Sequence, residues 1–278
     1  MGLRLSVTLL TVIPWRGAGD DTAPGSDPDG STDGSTAPPR AAAGAAMAWA
    51  PAVGLLLGVI ASAVLFLADH PLGAGPLTAS GLAVGSLALL TRGLHLDGLA
   101  DLADGLASGK PAPAALDIMR RSDIGPLGVV TLVLTLLLQV AALSQAESAG
   151  HGRGPAALIA AVVTGRLALT WACRRGVPAA RPDGLGALVA GSVRPVVPAM
   201  ATAVTLAAAA AAVAISAVAG GQLGWTLPLA VAAGLAAAFA VQRHAVRRLG
   251  GITGDVLGAL AEIATTVTLV VAAMGPPA

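Results

Sequence analysis

"AAAGAAMAWAPAVGLLLGVIASAVLFLA", residues 41–68, contains no charged side chain. About 20 apolar residues suffice to cross the hydrocarbon core of a bilayer as a helix, so this stretch is long enough to span. It does not stand alone. After the break "DHPLGAG" (69–75) a second uncharged stretch runs to Thr91, and others cover residues 124–146, 155–173, 195–242 and 256–274, with only Arg166 and Glu262 inside them. The stretch 195–242 is too long for one helix and is interrupted by "GGQLGW" (220–225), which divides it in two. Seven spans are predicted.

The composition agrees. Of the 278 residues 55% are hydrophobic and 11% charged, with a mean hydropathy of +0.79, whereas soluble domains carry charge on about a quarter of their residues. Aromatic residues, at 2%, are too few for the girdles of an outer-membrane barrel. The expected fold class is therefore all-α, a polytopic membrane helical bundle of about seven transmembrane helices in one domain, 1–278, with the lipid bilayer as its surroundings. A net charge of +1 provides no basic face for nucleic acid. The single cysteine, Cys173, has no internal disulfide partner.

Two segments stand apart. "MGLRLSVTLLTVIPWRG" (1–17) has an apolar run like that of a signal peptide, but the run is too short to span and stops at Pro14, which favours a short interfacial or re-entrant helix. Residues 17–40, rich in Gly, Pro, Ser, Thr and Asp, read as a disordered cytoplasmic insert, because such a composition cannot bury enough apolar surface to order itself.

With a cytoplasmic N-terminus, the positive-inside rule fits seven spans. Arg4, Arg16, Arg40, Arg92, Lys110, Arg120, Arg121, Arg174, Arg175, Arg181, Arg194, Arg243, Arg247 and Arg248 then fall on the cytoplasmic side, and only Arg153 outside. The polar segments, including 92–123, are expected to face the cytoplasm.

"LHLDGLADLADGLASG" (94–109) places three aspartates and a histidine in ten consecutive residues of this apolar chain. On a helix Asp97, Asp101 and Asp104 lie within about 60° of one another. Like charges so placed repel, and oxygen-only donors suit Mg²⁺ or Mn²⁺, the usual companions of phosphates. Gly98 and Gly105 flank the stripe and would let a bulky ligand approach the backbone. A solvated acidic loop is the plainer alternative. His95 points away from the stripe, where a structural role is as consistent as general-base chemistry.

Three further clusters lie on the same side. "LDIMRRSDIGPLG" (116–128) carries Arg120, Arg121 and Asp123, which either fix topology or hold phosphate bidentately. "RRGVPAARPDGLGALVAG" (174–191) contributes Arg181 and Asp183 on a loop suited to covering a substrate. "RRLGGITGDVLGALAE" (247–262) sets Arg248 and three glycines before Asp255 at the start of span seven, where helix amides attract anions. Arg166 and Glu262, about two turns inside their spans, are expected to line one cytoplasm-open pocket as an ion pair, with a merely structural pair as the alternative.

These blocks, "GLHLDGLADLADGL", "LDIMRRSDIGPLGV", "RPDGLGALVAG" and "RRLGGITGDVLGALAE" in that order, with "WAPAVGLLLG" and "LLTVIP" upstream, resemble the adenosylcobinamide-GDP ribazoletransferase (cobalamin synthase) family. The resemblance covers nearly the whole chain apart from residues 17–40. Two departures are Val12 after Thr11, where the family commonly has Arg, and Arg121 in place of an acid. The resemblance implies an Mg²⁺-dependent phosphotransferase of the cell (inner) membrane. A ribose hydroxyl of α-ribazole, or of its 5′-phosphate, attacks the cobinamide-linked phosphorus of adenosylcobinamide-GDP and GMP leaves. Asp97, Asp101 and Asp104 would then hold the metal. Arg92, Arg120, Arg121, Asp123, Arg166, Arg181, Arg248 and Asp255 would meet the substrates, and His95 or a carboxylate would take the proton. Homo-oligomerisation stays open. The competing readings are another membrane phosphotransferase acting on a nucleotide-activated alcohol and a cation-coupled transporter. A transporter predicts ionisable groups through the whole membrane depth, whereas here they gather on one side.

Overall fold

The computed structural model describes residues 40–121, 123–150, 152–219, 221 and 223–274, with Ser6 and Thr11. The expected N-terminal helix and the 17–40 insert otherwise lie outside the described residues, Arg40 excepted. Among the described residues there are ten helices of defined bounds and no strand. They are α1 (Arg40–Asp69), α2 (Pro76–Leu90), α3 (Leu94–Ala107), α4 (Ala112–Ile118), α5 (Pro126–Ser148), α6 (Arg153–Ala172), α7 (Gly184–Val189), α8 (Val196–Val218), α9 (Thr226–Leu249) and α10 (Gly254–Ala273). By length and composition α1, α5, α6, α8, α9 and α10 each suffice to cross a membrane, and α2 with α3 makes a seventh if that bent pair counts as one span. The protein is an all-helical membrane protein.

The second span departs from expectation. Helix α2 has 15 residues, about 22 Å of helix against a hydrocarbon core of about 30 Å, and α3 leaves it at 88°. A Schellman motif makes the turn: the Gly93 amide donates to Ala88 O at 2.8 Å and the Arg92 amide to Leu89 O at 3.0 Å. Arg92, at φ 56°, occupies the left-handed position usually given to glycine. Composition reports how long a chain can stay in lipid and is blind to such a change of direction. Helix α3, short and with three carboxylates, therefore runs across the end of α2 instead of continuing it.

Helices α6 and α10 form the buried centre, and small residues bring their neighbours close. Gly54 and Gly58, one turn apart on α1, face α6, where a Cβ would lie 2.9 Å from Val162 O and 3.0 Å from Ile159 Cα. At Gly165 a Cβ would lie 2.7 Å from Ala261 O on α10, and at Gly234 of α9 it would lie 2.8 Å from Ala264 O. Helix α8 has only Pro198 and Ala209 buried, and it turns an apolar surface that includes Val204 and Ile215 to lipid.

The starts of α1, α5, α8 and α10 and the ends of α6 and α9 meet at one end of the bundle with α3. There the α6–α8 connection is stitched in place. The Arg175 amide donates to Val193 O at 2.8 Å, the Ala180 amide to Ile252 O at 3.0 Å, and the Ile252 amide to Pro178 O at 2.9 Å. Arg40 Nη2 donates to Ala190 O at 3.2 Å. This end carries the four sequence blocks.

Candidate active site

Helix α3 packs against α10 and α5 and sets its carboxylates before the start of α10. Asp97 is exposed, and Asp101 and Asp104 are half-buried. Asp97, His95 and Asp255 line one cavity of about 160 Å³ together with Gly254, Leu185 and Gly258. Asp101 is the focus of the repulsion. Burial first, then the charges of Asp97, Asp255 and Asp104, push its carboxyl up to about 7, with Arg181 opposing. Arg181, from the α6–α8 connection, donates through Nη2 to Leu116 O at 2.6 Å and holds Nη1 3.9 Å from Asp255 Oδ2. Thr253 caps α10: its Oγ1 accepts from the Val256 amide and donates to Asp255 Oδ2, each at 3.2 Å. Sequence blocks widely separated along the chain thus converge on one acidic patch with one inward guanidinium.

Asp104 has a further task. Its Oδ2 accepts from the Gly125 amide at 2.7 Å and its Oδ1 from the Gly128 amide at 2.9 Å, so both oxygens serve the first turn of α5, whose amides lack intrahelical partners. Among the described residues, the one group of three His, Cys, Asp or Glu whose ligand atoms all lie within 4.8 Å is Asp69, His70 and Glu147, at the opposite end of α1 and α5. The aspartates of α3 do not close into so tight a cage.

The other residues singled out from the sequence are spread around this patch. Arg120 donates through Nη2 to both carboxylate oxygens of Asp183, at 2.8 and 3.1 Å, across exposed surface. Arg92, Arg121 and Asp123 are exposed. Arg248 reaches Lys110 O at 3.4 Å. His95 is buried, with Nδ1 lacking a hydrogen-bond partner. Burial, and secondarily Arg166, hold its imidazole well below the ordinary histidine range, so it is neutral.

Three expectations need correction. Gly98 and Gly105 do not open the backbone to a ligand: a Cβ at Gly98 would lie 2.7 Å from Asp255 O, and one at Gly105 would lie 2.6 Å from Met119 Cγ. These glycines, themselves buried, admit α10 and Met119, because their side of α3 is covered by the protein's own neighbours. Gly251, one of the three glycines expected before an anion-attracting helix start, is covered by the backbone of Ala179 and Ala180. Arg166 and Glu262 do line one cavity, but it holds about 20 Å³ and Arg166 is 2% exposed, so it does not open to a substrate. Nor do they form an ion pair. Glu262 Oε2 instead accepts from Gln139 Nε2 at 2.9 Å.

Sequence reasoning missed Gln139, the capping hydroxyl of Thr253 and the amides of Gly125 and Gly128. Thr253 stands where a threonine N-cap signals a helix start. The other two depend on a helix neighbour remote in sequence and carry no local signal.

The fold and site define a polytopic helical membrane protein with an acid-lined, arginine-rimmed site at one end. The family model described as cobalamin-5-phosphate synthase matches residues 2–273. Among curated relatives, the adenosylcobinamide-GDP ribazoletransferase of Frankia casuarinae is 45% identical over 99% of this chain and 95% of that protein. Proteins of the same name from a Nocardioides species and from Bradyrhizobium diazoefficiens are 39% identical over 81% of this chain and 84% of theirs, and 38% identical over 86% and 87%. No solved structure matches. The chain belongs to the cobalamin-5-phosphate synthase family and is a transferase of cobalamin biosynthesis.

Proposed function

We propose that this chain joins adenosylcobinamide-GDP to α-ribazole, or to its 5′-phosphate, with release of GMP, at the cytoplasmic face of the cell membrane and with Mg²⁺. The observation that supports this most is the meeting of Asp97, Asp101 and Asp255 beside Arg181, a set in which burial and then mutual repulsion disfavour the bare charge of Asp101 and a cation would relieve it. The donors are all carboxylate oxygens, which suit Mg²⁺. Mg²⁺ commonly takes one or two carboxylates and fills its other positions with water and substrate phosphate oxygens, so an open set fits it better than a closed cage. When bound, the metal neutralises charge on pyrophosphate oxygens.

In this reading Asp97 and Asp101 hold the metal, with Asp255 facing them. Asp104 is a positioning residue that fixes α3 to the start of α5. Arg181 orients phosphate oxygens from the other side of the patch, and Arg92, Arg120, Arg121, Asp123 and Arg248 form the rim that receives the rest of the two substrates. A carboxylate of the patch, or His95 lining the cavity shared by Asp97 and Asp255, accepts the proton of the attacking ribose hydroxyl. The hydroxyl oxygen bonds to the cobinamide-linked phosphorus, the bond from that phosphorus to the bridging oxygen breaks, and that oxygen leaves on GMP. Arg166 acts from within the bundle, behind His95, and meets no substrate.

The test is GMP release by the purified protein in detergent, supplied with adenosylcobinamide-GDP and α-ribazole, with Mg²⁺ and with EDTA. Release that requires both the ribazole and the metal is expected. Release without ribazole would make the protein a hydrolase, and undiminished release in EDTA would remove the metal from the reaction.

A further inference from the structure

Arg174, Arg243 and Arg247 lie at the same end of the bundle but take no part in the site above. They line a cavity of about 270 Å³ between the 174–178 segment and the last turns of α9, with Phe239 and Val246 in its wall. Arg174 is fixed: Nη1 donates to Trp171 O at 2.9 Å and to Gln242 Oε1 at 3.0 Å, and its guanidinium lies 5.3 Å from the Phe239 ring centroid. Arg243 and Arg247 are exposed and one turn apart on α9. Among the described residues, no carboxylate lies within 4.0 Å of any of the three.

Behind this basic mouth is a second cavity of about 320 Å³, and Phe239 and Gln242 line both. Its remaining wall is mostly apolar, including Ala168, Leu235 and Leu260 of the spanning helices. Trp171, whose Nε1 donates to Thr202 Oγ1 at 2.9 Å, also lines it, and tryptophan marks the level of the headgroups. Uncompensated arginines at a membrane boundary next to an apolar recess complement an amphiphile with an anionic head. Arginine clusters hold phosphate through bidentate hydrogen bonds, and basic pockets between transmembrane helices take anionic headgroups.

We propose that these adjoining cavities bind one anionic phospholipid, its phosphate against Arg174, Arg243 and Arg247 and one acyl chain in the recess behind Phe239. The inference stands apart from the reaction proposed above. It bears on the site through the chain itself, since Arg174 opens the segment that is hydrogen-bonded to Ile252 at Ala180 and ends at Arg181, beside Asp255. A lipid seated there anchors the root of that segment.

The test is native mass spectrometry of the full-length protein in detergent, titrated with phosphatidylglycerol and separately with phosphatidylcholine. At least tenfold tighter retention of one phosphatidylglycerol is expected, lost in the Arg243→Ala/Arg247→Ala double variant. Ala236→Trp, which fills the apolar recess and leaves every arginine in place, is expected to weaken that retention too while circular dichroism stays unchanged. Equal retention of both lipids by the wild type, or undiminished phosphatidylglycerol on the double variant, overturns the proposal. So does displacement of phosphatidylglycerol by millimolar GDP, which would make the arginines part of a nucleotide site.

Discussion

Asp104 reaches from α3 to the amide of Gly125, 21 positions further along the chain, at 2.7 Å. With the Gly128 amide on its other oxygen, the carboxylate caps α5 from outside, as an N-cap residue does from within. Asp104 therefore differs from Asp97 and Asp101, which have no such partner among the hydrogen bonds of the described residues. Replacing Asp104 by Ala is expected to destabilise the protein by about 1–2 kcal/mol and to lower activity with it, whereas Asp104→Asn, which keeps an acceptor, recovers part of both. Thermal unfolding followed by tryptophan fluorescence, beside GMP release, checks this. Unchanged stability in Asp104→Ala would return the residue to a purely chemical role.

Asp101→Asn is expected to abolish measurable turnover while leaving the metal-free protein as stable as the wild type or more so. The substitution removes one of several mutually repelling carboxylates. A variant that unfolds would contradict that repulsion.

The raised carboxyl of Asp101 makes both stability and metal binding depend on pH. Its native value of about 7 lies above the unfolded value of 3.8, so the native state binds the extra proton, and the stability of the metal-free protein falls as pH rises from about 4 through 7. Metal binding runs the other way, because the carboxylate must lose its proton first. Unfolding in EDTA should come at a lower temperature at pH 8 than at pH 5.5, and added Mg²⁺ should restore more at pH 8. Apparent Mg²⁺ affinity should rise several-fold between pH 6 and 8. A flat profile in both measurements would contradict the arrangement of the carboxylates.

The Arg120–Asp183 pair is exposed, so its own contribution to stability is at most about 1 kcal/mol. Exchanging the charges, Arg120→Asp with Asp183→Arg, should leave unfolding nearly unchanged. If Arg120 also receives phosphate, the exchange leaves activity at least tenfold down, whereas a merely structural pair would be rescued by it.

Gly98→Ala places a methyl group against the backbone of Asp255, which cannot give way as a flexible side chain does. A loss of about 1–3 kcal/mol is expected, with weaker binding of whatever Asp255 faces. Gly105→Ala, whose closest contacts are with the flexible side chain of Met119 and which approaches backbone no nearer than Ala115 O at 3.3 Å, should cost less.

What could be read in advance follows from the range of the forces involved. Uncharged runs of spanning length are a local property, so all the spans but the bent second one stood out. The turn at Arg92 did not, since arginine gives no hint of a left-handed backbone. At the site, the spacing of Asp97, Asp101 and Asp104 marks a helical stripe, and the structure has that helix. The attachment of Asp104 to α5, the covering of Gly98 by α10 and the bond from Gln139 to Glu262 are contacts between helices remote in sequence. Their partners are chosen by packing, and no local pattern announces them.

The hydrogen bonds of Arg175 to Val193 and of Ala180 to Ile252 tie the entry to α8 and the exit from α9 to the same short segment. Helix α8, the element most open to lipid, therefore hangs from a fastened root. The bonds that fasten this root lie on the same segment that carries Arg181 to Asp255, so the most exposed helix and the acidic patch share one anchorage.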